Sequence, residues 1–121
     1  MSDFVSDIRL ALRKDPQPND RVWLRSGYRV MLIKMGIEKA GSINKLGRQL
    51  GYRSKVHPGW SVRQILLGEQ AFPYDRLRTL ATYLDYPMDE ILKYQAKPER
   101  VTLESTRRAL RQYGLWYYIP R

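Results

Sequence analysis

Residues 42–92 read SINKLGRQLGYRSKVHPGWSVRQILLGEQAFPYDRLRTLATYLDYPMDEIL, and the order of apolar, small and turn-forming residues in this stretch decides the fold. Ile43, Leu46, Gly47 and Leu50 repeat at i, i+3, i+4 and i+7, one face of an α-helix. Ser42 is placed to cap that helix with its side-chain oxygen, and Gly51 to end it in a left-handed conformation. Lys45, Arg48 and Gln49 then fall on the outer face. Residues 52–59 form a loop with Pro58-Gly59 as its turn signal. Val62, Ile65 and Leu66 give the inward face of a further helix over residues 60–67, and Gly68 stops it. Pro73 and Pro87 each open a helix, because a missing N–H costs nothing there. The first shows Leu77, Leu80, Ala81 and Leu84; the second, shorter one shows Met88, Ile91 and Leu92. We expect Leu46, Leu50, Val62, Ile65, Leu77, Leu80 and Leu84 to share one core.

Upstream, Tyr28, Met31, Leu32, Met35 and Ala40 form a helical stripe ending at Gly41, with Gly36 inside it as a weak point of about 1 kcal/mol relative to alanine. Val22-Trp23-Leu24 reads as a short strand or a first helical turn, followed by a turn or helix-start signal at Ser26-Gly27. Before that, residues 3–14 carry Phe4, Val5, Ile8, Ala11 and Leu12 at helical spacing. Two prolines with Asn19 and Asp20 then read as a linker. Downstream, residues 103–113 are basic and helical in pattern. Leu115-Trp116-Tyr117-Tyr118-Ile119 is β-prone and expected to pair with Val22-Trp23-Leu24 or to cover a core edge. This divides the chain into an N-terminal helix and linker (1–20), a helical domain (21–95) and a basic, aromatic extension (96–121).

At 121 residues the chain suits one domain with short appendages. It has no cysteine, which excludes disulfides and thiolate metal sites. The opening M-S-D-F-V-S-D carries no basic, apolar leader pattern, and no apolar run approaches the ~20 residues of a membrane span. We therefore expect a cytoplasmic, nucleoid-associated protein with no membrane partner. The net charge of +10 is unevenly placed: residues 21–68 hold ten Lys/Arg against a single acid, Glu38. Such an excess is what phosphate binding requires, since Lys and Arg release the counterions condensed on nucleic acid.

On these residues the chain resembles the lambda-repressor/Cro-like (XRE-type) helix-turn-helix family over about residues 28–93. Gly47 matches the small residue that lets the third helix pack close, and Val62 and Ile65 match buried positions of the recognition helix. Gly68 matches the glycine closing that helix. Leu77-Arg78-Thr79-Leu80-Ala81-Thr82-Tyr83-Leu84 and Asp89-Glu90-Ile91-Leu92 match the following elements. The resemblance implies a mainly all-α, lambda-repressor-like bundle, here with an N-terminal helix, a C-terminal helix and a short strand. It also implies sequence-specific binding of double-stranded DNA by a transcriptional regulator acting as a homodimer. The chain departs from the family in two places. The turn between the second and third helices is about five residues longer than usual, and Ile43 stands where many members carry a phosphate-clamping Gln.

Within that reading, Trp60, Ser61, Arg63 and Gln64 are the candidate base contacts. Arg suits guanine O6/N7 and Gln suits adenine N6/N7. Solvated helix positions are the plain alternative for Arg63 and Gln64, a helix cap for Ser61, and a core plug, which we favour, for Trp60. Ser42, Lys45, Arg48, Arg53, Lys55, His57 and Gln70 are the candidate phosphate contacts, which set register without reading sequence. His57 is the sole histidine, so neither a metal site nor a nucleophile–base pair can be assembled, and we expect no enzyme and no cofactor. Asp85, Asp89 and Glu90 read as acids favouring helix N-termini rather than a Mg²⁺ site. The ring cluster Trp116-Tyr117-Tyr118 either stacks on bases or, our preference, packs on a core or partner. RNA or general nucleic-acid binding, and an antitoxin-like protein-interaction module, are the alternative functions.

Overall fold

The computed structural model describes residues 17–119, and the helix expected over residues 3–14 lies outside them. The described chain runs β1 (Arg21–Val22), α1 (Ser26–Ala40), α2 (Ile43–Gln49), α3 (Trp60–Leu66), β2 (Phe72–Pro73), α4 (Tyr74–Leu84), α5 (Met88–Leu92), a 3-10 turn at Pro98–Arg100, α6 (Leu103–Gln112) and a second 3-10 turn at Trp116–Tyr118. It is mainly helical. The β-structure is a two-stranded antiparallel pair, Val22 opposite Phe72, flanked by a bridge between Leu24 and Gln95.

α1 is the hub, packing against α2, α3, α4 and α6. Its buried residues are Ser26, Arg29, Val30, Leu32, Ile33 and Gly36. This corrects the stripe read from sequence: Leu32 belongs to it, but Tyr28, Met31, Met35 and Ala40 are only half-buried. A helix with neighbours on several sides buries more than one narrow stripe, and periodicity picks out only one. Gly36 is likewise no irregularity. A Cβ there would lie 2.9 Å from Leu46 Cδ2 and 3.1 Å from Leu80 Cδ1, so the missing side chain lets α1 approach α2 and α4.

Leu46, Leu50, Val62, Ile65, Leu77 and Leu80 are buried in one cluster, as expected, while Leu84 is half-buried at its edge. The cluster also takes Val22, Leu24, Phe72, Ile91, Ala109, Leu110 and Leu115, so residues from both ends of the described chain join the same core. The segment 115–119 does not pair with β1. Tyr118 N donates to Leu115 O and Ile119 N to Trp116 O, both at 3.0 Å, and these local bonds satisfy backbone groups that a ladder would need. The linker reading also changes near α4. Tyr74 N donates to Asp20 O at 2.7 Å and Asp75 N to Pro18 O at 3.1 Å, so residues 18–20 cap α4 with their carbonyls.

The seam between α1 and α6 is closed by Arg29, 1% exposed. Its Nη1 donates to Leu24 O (3.2 Å) and Ser26 Oγ (3.3 Å), and its Nη2 to Thr106 Oγ1 (2.8 Å) and Leu66 O (3.4 Å). Burial lowers its pKa below the ordinary arginine value, to about 10.

Candidate nucleic-acid interface

α2 begins at Ser42, whose extended backbone and hydroxyl form an N-cap; the hydroxyl accepts from Lys45 N at 3.1 Å. That cap is the role read from the sequence, and it occupies the oxygen also considered for phosphate. Lys45 and Arg48 are exposed on α2.

The turn that follows is held at both ends. At its start, Gly51 takes φ +98°, and a Cβ would strike Arg76 Nη1. Arg76 donates to Leu50 O at 2.7 Å and lies 4.6 Å over the Tyr52 ring. At its end, Gly59 N donates to Asn44 Oδ1 at 3.0 Å. Gly47 and Gly59 let the backbones cross. A Cβ on Gly47 would lie within 2.0 Å of Pro58 O, and one on Gly59 within 2.7 Å of Ile43 O. Gly47 therefore admits the end of the long turn rather than the third helix itself. Between the anchors, Arg53, Lys55 and His57 are exposed, with Ser54 Oγ accepting from His57 N at 3.1 Å.

α3 starts at Trp60 from Gly59 as N-cap, without a side-chain cap, so Ser61 does not cap it. Ser61 is half-buried on the first turn. Trp60 is 55% exposed, which corrects the core reading; Pro58 and Gly59 are the buried residues at this end of the turn, packed against Gly47 and Ile43. Arg63 is exposed and Gln64 half-buried, while Val62, Ile65 and Leu66 face the core. Gly68 follows with φ +78°. Gln70 is exposed after α3, its N–H donating to Gln64 O at 3.3 Å.

A groove of about 350 Å³ gathers part of this set: His57, Trp60 and Arg63, with Ile43, Asn44, Gly59 and Tyr118. Tyr118 comes from the far end of the sequence, from the ring cluster expected to pack on a core or partner, and here it borders Arg63. Burial raises its pKa above the ordinary tyrosine value, Tyr117 adds to this, and Arg63 opposes it. Behind it stand Tyr117, 4.7 Å away ring to ring, and Trp116, a further 6.0 Å from Tyr117. Trp116 and Tyr117 are exposed, so the tail packs only in part, through Leu115, Tyr118 and Ile119. The structure does not gather Ser42, Lys45, Arg48, Arg53, Lys55, Ser61, Gln64 or Gln70 into this groove.

The basic excess read over residues 21–68 divides. Arg29 is buried, and Lys39 donates to Tyr83 O and lies 4.6 Å over its ring. Lys45, Arg48, Arg53, Lys55 and Arg63 remain exposed on α2, the turn and α3, in a stretch with no acid between Glu38 and Glu69. Asp89 and Glu90 do sit in the first turn of α5, but Asp85 is the left-handed residue ending α4, at φ 59°, so the N-terminal reading fails for it.

No family model matches the chain, and no curated protein or solved structure matches it. No helix among the described residues is long and apolar enough to cross a membrane.

Proposed function

We propose that this chain is a sequence-specific double-stranded DNA-binding protein, a transcriptional regulator that uses α2, the long turn and α3 as a helix-turn-helix. The observation that carries the reading is the exposure of Lys45, Arg48, Arg53, Lys55 and Arg63 along an acid-free stretch that ends in a short helix whose core side is fully packed. Phosphates meet the Lys and Arg side chains of α2 and the turn. Arg63 and Gln64 meet base edges, where a good bidentate contact discriminates by about 1–3 kcal/mol. Trp60 lies beside them and offers its face to sugar or to a thymine methyl. As a homodimer, the protein places two copies of α3 about one helical turn apart on a pseudo-palindromic site.

The test is selection of bound sequences from a random duplex library at fixed salt, repeated with Arg63→Ala/Gln64→Ala. Enrichment of a palindrome, with preference lost at one or two positions per half-site in the variant, is the expected result. Replacing Lys45, Arg48, Arg53 or Lys55 by Ala weakens binding to all sequences alike and reduces the salt slope by about one unit each. Preference retained in the Arg63/Gln64 variant but lost when residues 53–57 are replaced transfers the reading to the turn.

A second reading rests on the rings of Trp60 and Tyr118, which line the groove with Arg63, and on exposed Trp116 and Tyr117 next to Tyr118. Exposed aromatics interleaved with cations suit single-stranded nucleic acid, where stacking contributes about 1–3 kcal/mol per base. Single-stranded RNA and DNA arms in the same titration separate the two: tighter binding of single strands than of any selected duplex favours this one.

A further inference from the structure

A second cationic region lies away from the α2–α3 surface. Residues 97–111 contribute Lys97, Arg100, Arg107, Arg108 and Arg111 against Glu99 and Glu104. The fold brings three of these cations to one place. A cavity of about 640 Å³ between the start of α1, the chain after α5 and α6 is lined by Arg25, Lys97, Arg100 and Arg108, with Ser26 and Ser105. No carboxylate lines it. Arg108 is paired with Glu104 at 3.1 Å, whereas Arg25, Lys97 and Arg100 have no ion-pair partner among the described residues.

The inner wall adds a further charge. Ser26 Oγ and Ser105 Oγ are 2.8 Å apart, and Ser26 Oγ also takes a hydrogen bond from Arg29 Nη1. Arg29 is buried, has no carboxylate partner among the described residues, and keeps its Nε without an acceptor. A buried guanidinium whose hydrogen bonds go only to carbonyls and hydroxyls retains its field, because nothing of opposite charge neutralises it. That field reaches the cavity through one serine. Three unpaired surface cations over a fourth, buried one exceed what a monocarboxylate would balance. They match an anion of two or more charges, and guanidinium forks are suited to phosphate oxygens. The volume falls in the range of about 300–1,000 Å³ that small ligands occupy, larger than a bare phosphate needs.

We propose that this cavity binds a small phosphorylated ligand, its phosphate-type oxyanion held by Arg25, Lys97 and Arg100. The site is separate from the groove at α3: the two share no lining residue, and Arg29 meets α3 only at Leu66, on its last turn. The inference therefore stands whether or not α3 reads DNA.

The experiment is calorimetric titration of the full chain with inorganic pyrophosphate in low-chloride buffer, using wild type, Lys97→Gln/Arg100→Gln, and Arg107→Gln. Arg107 is exposed on α6 and outside the lining, so it controls for overall charge. All three altered side chains are exposed, and an unchanged thermal midpoint confirms that folding is intact. Saturable binding of one pyrophosphate per chain, weakened at least tenfold in the double variant and less than twofold in Arg107→Gln, is the expected result. No saturable binding, or equal weakening in both variants, overturns the proposal. A short random duplex forms the second arm. If it displaces pyrophosphate from wild type and itself loses tenfold affinity in the double variant, the cavity is a backbone-phosphate contact and not a small-ligand site. Saturable pyrophosphate binding with no duplex binding by wild type would instead count against the function proposed for α3 alone.

Discussion

Two regions of this molecule place a guanidinium against main-chain carbonyls, and they differ in how far the surroundings enclose it. At the α1–α6 seam, Arg29 is 1% exposed and joins the end of β1, α1, the last turn of α3 and α6. At the α2–α3 turn, Arg76 is half-buried and fastens one carbonyl, Leu50 O, while stacking on Tyr52. In the first region the charge substitutes for apolar packing where four segments meet and their carbonyl and hydroxyl oxygens need a donor. In the second it pins one end of a turn whose middle carries exposed cations. Anchored ends around an exposed, charged middle present that middle to solvent, whereas a fully enclosed network belongs to the part of the fold that holds the turn in place.

The largest effect expected from this comparison is on stability. Arg29→Ala leaves Leu24 O, Leu66 O and Thr106 Oγ1 without their donor, and an unsatisfied buried group costs about 1–3 kcal/mol. We expect a net loss of about 3 kcal/mol, because removing the buried charge offsets part of that cost. Arg76→Ala should lose about 1 kcal/mol, one hydrogen bond and a partly exposed cation–π contact. Urea midpoints for the two variants test the contrast, and equal losses would break it. Arg29→Met, which keeps volume and removes the charge, should cost less than Arg29→Ala. The sign of the pH dependence agrees. Burial lowers the folded pKa of Arg29 below the ordinary arginine value, to about 10, so the penalty for the charged form is fully present below pH 10. Stability contributed by this group rises as pH passes upward from about 10, where the unfolded chain still holds the proton and the folded one releases it.

Next in size is the crossing of α2 with the turn. Gly47→Ala puts a Cβ within 2.0 Å of Pro58 O, a main-chain atom that cannot swing away. Overpacking of this kind costs about 1–3 kcal/mol. The strain should concentrate in residues 52–59, read as faster amide exchange there and weaker binding to any selected duplex. Gly27→Ala is the contrasting change: nothing lies within 4 Å of its Cβ position, so it should be neutral or stabilising. Exchange that rises uniformly across α1, α2 and α4 instead would mean that Gly47 supports the whole core rather than the turn.

The difference between these regions also explains what the sequence made legible. Helices α2 to α5 and their inward leucines follow from period and punctuation, because Ser42, Gly51, Gly68, Pro73 and Pro87 act locally. Arg29 was not legible: in the sequence it is one of ten bases in a basic segment, and its burial depends on Thr106, far along the chain. Gly47 was recognised as a close approach, but its true neighbour, Pro58, became visible only with the path of the long turn. The place of Tyr118, packed on the core as expected but beside Arg63, was not legible for the same reason. Its ring reaches Arg63 only because α6 packs back along α1, a long-range arrangement that no local pattern carries.

The smallest predicted effect sharpens that last point. Tyr118 titrates above the ordinary tyrosine value because burial and Tyr117 disfavour its phenolate, while Arg63 is the group that opposes the shift. Removing the Arg63 charge therefore raises the Tyr118 pKa further, since the phenolate loses its nearby cation. Selective ¹³C labelling of tyrosine Cζ separates Tyr118 from the other eight tyrosines. Arg63→Ala should move the Tyr118 midpoint upward and leave Tyr28, on the α1–α5 side against Tyr94, where it was. A bound duplex brings phosphates to the same groove and should shift Tyr118 upward as well, because added negative charge again disfavours the phenolate. An upward shift with Arg63→Ala but none with duplex would place the tail beside α3 yet outside the nucleic-acid contact, and would separate the aromatic tail from the function proposed for that helix.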